Sequence, residues 1–152
     1  MVTEIARIQD QLRRAFEGPA WHGPSLHELL SNVPASKAAA RPIEGAHSIW
    51  ELVLHIIAWE RVVVRRLAGE TIDKLSPAED WPAINDTGER AWSEAQAQLQ
   101  AAHQELHEAI GKFPEARLGD KVSGKYPYYG LLHGVIQHNL YHAGQIAILK
   151  KA

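Results

Sequence analysis

Proline and glycine cut this chain into long stretches in which apolar residues return every three or four positions, and no alternation of useful length suggests a strand. That period sets side chains along one stripe of an α-helix, and a helix with one apolar stripe must bury it against other elements. Ile5, Ile8, Leu12 and Phe16 define the first helix, which Gly18 and Pro19 stop. Ser25 followed by Glu28 has the form of a capping box, opening a short helix through Leu30 that Pro34 ends. Residues 34–46, with Pro34, Pro42 and Gly45, predict a loop. Ser48 and Glu51 repeat the capping box ahead of a long helix to about Leu67, closed by Gly69. Residues 70–85 hold two prolines and no period, which suits a crossover connection, and Asp86 or Thr87 can start the next helix. Trp92, Ala95, Leu99, Leu106, Ile110 and Phe113 give that helix its apolar face. Pro114 to Pro127 predicts another loop, before a last helix from about Tyr128 towards Lys150. Four main helices and one short one predict an all-α four-helix bundle with one long crossover connection, filling residues 1–152 as a single domain.

A chain of 152 residues can bury a sizeable core without disulfides or metal staples. The formal net charge is −2 and Lys and Arg are scattered, so there is no basic stripe for a nucleic-acid backbone and no nucleic-acid partner is expected. No apolar run approaches the roughly 20 residues that span a bilayer, and no signal peptide is evident, so no membrane contact and a cytoplasmic location are expected. With no cysteine, any bound metal must be held by nitrogen and oxygen.

Nine histidines are the chain's main chemical resource. On a helical wheel of the last helix, His142 falls about 20° from Val135, inside the stripe of Leu131, Ile146 and Leu149, and His138 about 60° away at its edge. Their i, i+4 spacing stacks two imidazoles one turn apart, close enough to share an ion. In the Ser48–Leu67 stretch His55 shares a face with Leu52, Trp59 and Val62. Three imidazoles buried among aliphatic groups without partners would be costly, and a shared metal ion removes that cost. His103 and His107 repeat the spacing on a flank rich in Gln and Glu, which predicts a solvated face. His133 points away from His142, and His22, His27 and His47 fall in or near loops as polar surface groups.

The segments Ala20-Trp21-His22-Gly23-Pro24-Ser25-Leu26, His47 to Trp59 and Gln137 to Ile146 together resemble the DinB/YfiT-like family of bacterial metal-binding four-helix bundles, over essentially the whole chain. The resemblance implies a bundle with one long crossover, frequent homodimers, and a triad that falls on His55, His138 and His142, the same three given by the wheel. It also implies one divalent transition-metal ion per chain, nickel or zinc. Some members of that family transfer low-molecular-weight thiols to electrophiles, and others are described as metal-dependent hydrolases.

Three imidazoles leave a coordination position open, as in catalytic rather than structural sites. An ion there can lower the pKa of bound water or ionise an incoming thiol, and with no cysteine in the chain the thiol must arrive as a cosubstrate. Thiol transfer to an electrophilic small molecule is the leading expectation. Metal-dependent hydrolysis and a non-catalytic small-molecule-binding stress protein are the alternatives. His22, Trp21, Glu51, Trp59 and Tyr141 are candidates for the pocket wall, while Glu51 and Glu60 also read as ordinary surface carboxylates. Leu140, Ala147 and Ile148 on the outer side of the last helix predict a homodimer interface.

Overall fold

The computed structural model describes all residues from Met1 to Ala152. Four long helices carry the architecture: α1 (Glu4–Phe16), α4 (Ile49–Leu67), α6 (Glu89–Lys112) and α7 (Tyr128–Leu149). Between them lie α2 (Leu26–Leu30), α3 (Ala35–Ala39), α5 (Pro77–Asp80) and a hairpin of β1 (Lys121–Val122) and β2 (Tyr126–Pro127), paired antiparallel with Val122 opposite Tyr126. The fold is all-α, and no helix is long and apolar enough to cross a membrane.

Both capping boxes read in the sequence form. Ser25 Oγ accepts from the Glu28 amide while the Glu28 carboxylate accepts from the Ser25 amide, and Ser48 and Glu51 do the same at the head of α4. A third box, Ser76 with Glu79, opens α5 inside the crossover, where the sequence reading had expected no helix. The loop expected over 34–46 contains α3, for a packing reason. Pro34 is accommodated as the N-cap residue, Ala35 and Ala38 are buried against α4 and α6, and the Ala35 amide donates to Glu89 at 2.9 Å. The bundle therefore has three short helices instead of one. Helix α6 begins at Glu89, later than expected, because Asp86 Oδ1 accepts from the Gly88 amide at 2.8 Å and holds a turn there.

Helix α4 packs against α6 and α7, and α1 packs against the same two from the opposite side. Trp50 meets Trp92 and Glu60 meets His103, so α4 and α6 run parallel, and residues 68–88 must return the chain along the bundle. This is the long crossover expected from the sequence. Helix α7 is antiparallel to α4, with Tyr128 hydrogen-bonding the Arg66 carbonyl at one end and His138 and His142 meeting His55 towards the other.

The apolar core forms two clusters, one around Trp50, Trp92 and Ile146, the other around Ile8, Leu106 and Leu132. Between them lies a buried polar layer from three helices. Asn139 Nδ2 donates to Glu60 Oε1 at 2.8 Å, and His103 Nδ1 stands 3.8 Å from the same oxygen. The solvated face expected for His103 is thus overturned, since it is 3% exposed and stacks on Phe16 with ring centres 3.9 Å apart. Glu60 is likewise fully buried and no surface carboxylate, because it lies on the α4 stripe between Ile56 and Val63. Helix α7 supplies the donor that satisfies Oε1 of this buried carboxyl group.

Candidate metal centre

His55 sits on the second turn of α4 and faces α7 where His138 and His142 project one turn apart. The Nε2 of His138 is 3.1 Å from Nε2 of His55 and 3.1 Å from Nε2 of His142. Two nitrogens bound at ~2.0–2.1 Å to one tetrahedral ion stand roughly 3.3–3.4 Å apart, so the spacing already nearly matches a shared ligand set. This group of three can hold a metal ion.

The outward nitrogens explain why Nε2 is the free one. His55 Nδ1–H donates to the Asp80 carbonyl at 2.8 Å, with Asp80 Oδ1 at 3.1 Å, and His142 Nδ1–H donates to Gln145 Oε1 at 2.6 Å. Each bond fixes a tautomer whose Nε2 carries a lone pair pointing inward. A His138 N–H could serve one of these lone pairs and would leave the other unmet, whereas a cation at the centre serves all three. Such outer hydrogen bonds are what orient ligand histidines in metal sites. Burial, followed by repulsion from the His142 and His55 imidazoles, lowers the His138 pKa to about 4, and burial lowers that of His142 as well. Both are neutral at neutral pH.

The crossover supplies the rest of the surround. Asp80, at the end of α5, also accepts from Trp59 Nε1 at 2.7 Å. Trp81 stacks on His55. Neither Asp80, Trp81 nor Gln145 was singled out from the sequence. Gln145 was within reach of it, lying three residues after His142 on the same helix face. Asp80 and Trp81 lie in a segment without period, and only the return path of the crossover brings them to His55.

Among the pocket candidates, Trp59 is at the site, with its ring centre 6.4 Å from that of His55 and 6.0 Å from that of His138. Tyr141 meets the edge of His142 but is otherwise solvent-exposed. Glu51 caps α4 and pairs with Arg41, so its carboxylate is engaged one turn away from His55. Trp21 and His22 are not brought to the triad. They border grooves against Leu140 on the opposite side of α7, and Trp21 is fully exposed. His107 is half-buried and takes no part in the centre, and His133 lies near Tyr129 and Glu4. Of the three histidines, His138 also borders a cleft of about 300 Å³, lined with it by Trp59, Val63, Arg66, Leu131 and Val135.

A helical bundle with parallel neighbours joined by a crossover, and three inward imidazoles from antiparallel helices, defines a class of nitrogen-donor metal-binding bundles. The chain belongs to the DinB superfamily, whose family model matches residues 20–146 and so takes in all three histidines. Comparison with curated proteins and with solved structures gave no match.

Proposed function

We propose that the protein is a metal-dependent enzyme that transfers a low-molecular-weight thiol to an electrophilic small molecule, with His55, His138 and His142 as the ligands of one divalent ion, nickel or zinc. The observation that carries this reading is the convergence of three Nε2 atoms, two with tautomers fixed by Asp80 and Gln145, beside an open cleft. A divalent ion held there supplies Lewis acidity, which lowers the pKa of a thiol or water that joins it. The thiol's S–H proton goes to solvent, its sulfur forms a bond to the electrophilic carbon, and the leaving group departs with the bonding pair.

The chain's residues favour a thiol over water as the nucleophile. Asp80 is occupied by His55 and Trp59, and Glu51 by its cap and Arg41, so neither is free to shuttle protons. A free thiol already ionises near pH ~8.5 and needs little help, whereas hydrolysis also asks for an acid to protonate the leaving group. Trp59, Leu131 and Val135 would take the apolar part of the substrate. The assembly proposed is a homodimer through the outer face of α7, in the cytoplasm.

The test begins with the metal content of untagged protein, wild type against His142→Ala. About one first-row ion per chain, lost in the variant, is expected. The loaded enzyme is then given a small thiol with an alkylating electrophile, where steady turnover lost in His55→Ala is expected. A wild type that stays metal-free when offered zinc and nickel overturns the reading. Turnover of esters or amides without any thiol would replace transfer by hydrolysis.

A further inference from the structure

Arg66 is 7% exposed and has no carboxylate partner. Its guanidinium donates to the Ile72 carbonyl and, at 3.0 Å, to the Tyr126 hydroxyl, both neutral oxygens. Asp73 hydrogen-bonds Lys125 at 2.9 Å, which lowers its pKa, and is near enough for the Arg66 charge to add to that shift. This buried guanidinium therefore has no hydrogen-bonded anion, an expensive state of which the Trp59 ring face 5.9 Å away offsets only part. Three of its five N–H groups are used, Nε and Nη2 on the Ile72 carbonyl and Nη1 on Tyr126, so two remain for a further acceptor.

Arg66 lines the same cleft as His138. The Arg66 carbon and the His138 ring lie 5.9 and 6.0 Å from the Trp59 ring centre, and so at most about 12 Å from each other. Gly130, in the first turn of α7, and Gly134, one turn further on, line the cleft beside Leu131, Val135 and His138. Glycine in a helix interior, as at Gly134, costs ~1 kcal/mol relative to alanine. A Cβ at Gly134 would meet nothing within 4 Å, so packing does not require glycine at that position, and the open space belongs to the cleft.

We infer that Arg66 binds the carboxylate of the substrate, which lies in this cleft with its reacting end at the histidine triad. The substrate class is therefore a small carboxylic acid whose reacting atom and carboxylate are separated by less than the cleft's length. This deepens the function proposed above and rests on it for what happens at the triad. The crossover, which holds Ile72 as well as Asp80, would sense both ends of the same molecule.

The probes are 3-mercaptopropionate and its methyl ester, titrated by calorimetry into zinc-loaded protein. Wild type is expected to bind the acid about 10- to 100-fold more tightly than the ester, the range of one charge-assisted hydrogen-bonded pair. Arg66→Gln should bind zinc as before and lose the preference, and Arg66→Lys should recover part of it. Gly134→Leu, which fills the cleft and improves helix propensity, should weaken both probes. Zinc binding with no acid preference in wild type overturns the inference and leaves the metal site standing, as does Gly134→Leu with unchanged probe affinities. A wild type that takes up no zinc refutes the triad as a metal centre, and the same two probes on that protein still decide Arg66. If Arg66→Gln does not fold, the wild-type preference and Gly134→Leu carry the decision.

Discussion

The Trp81 indole lies flat on the His55 imidazole, ring centres 4.0 Å apart and planes 6° apart, and it is clamped from the other side by His47 at 3.4 Å. A residue of the crossover is thus held between two histidines that flank the start of α4. The crossover is the part of this bundle least tied to helical packing, and it orients His55 of α4 through ring stacking and through Asp80.

If the crossover orients His55, then Trp81→Ala should lower metal affinity about 10- to 100-fold, the usual cost of losing an outer partner of a ligand histidine. Asp80→Ala keeps the carbonyl that accepts from His55 and, losing only Oδ1, should lower it less. Competition titration against a chromophoric chelator measures it. Circular dichroism should stay unchanged, because neither side chain belongs to the two core clusters as a buried member. Wild-type affinity in both variants would show that α4 alone positions His55.

The polar layer makes a separate prediction about stability. Asn139→Ala removes the one hydrogen-bond donor of a fully buried carboxyl group and should cost about 1–3 kcal/mol in urea unfolding, since a buried acceptor is left unsatisfied. His103→Ala removes a ring packed on Phe16 and should also destabilise, by about 2–4 kcal/mol. Both variants should still take up one metal ion per chain, because neither residue is among the three whose nitrogens converge. Loss of the ion in His103→Ala would mean the layer and the centre are one unit.

What the sequence made legible follows from how locally each feature is encoded. Ser25, Ser48 and their glutamates announce helix starts three residues apart, and Leu131, Val135, His142, Ile146 and Leu149 announce a buried stripe, so the long helices and the inward triad could be read directly. His103 was misjudged because its neighbours Gln104 and Glu105 are exposed while the ring itself turns onto Phe16, a contact from a residue far away in the chain. Trp21 drew notice through its local setting beside Gly23-Pro24, yet packing leaves it on the far side of α7. Asp80 and Trp81 depend on the direction in which residues 68–88 cross the bundle, and no local pattern carries that.

Stability of the metal-free protein should fall on acidification. His138 titrates near 6.5 when unfolded and about 4 when folded, and His142 moves the same way, so the unfolded chain takes up protons first as pH drops. The contribution of the neutral imidazoles is complete above about pH 6.5 and is lost as pH falls through about 4. Thermal melts in the presence of a chelator should therefore change little between pH 8 and 7, then decline between pH 6.5 and 4. His138→Gln should flatten part of that decline. A melting temperature that rose between pH 6.5 and 5 would show that the folded state prefers the protonated rings.

The last prediction concerns assembly. On α7, Leu140, Gly144 and Ala147 stand opposite His138 and His142 and line a groove of about 740 Å³ with Pro24 and Leu29, rimmed by His22, Lys150 and Lys151, while Ile148 is 62% exposed and Trp21 is bare. The apolar floor of this groove, with the exposed Ile148 and Trp21 near it, fits burial against a second copy that leaves the lysines at the rim. Light scattering at micromolar concentration should give twice the chain mass. Ala147→Glu places a charge in the groove and should shift the population to monomer, while metal content stays at one ion per chain because His138 and His142 face the other way. A wild type that is monomeric throughout this range would leave Trp21 and the α7 groove to some other contact.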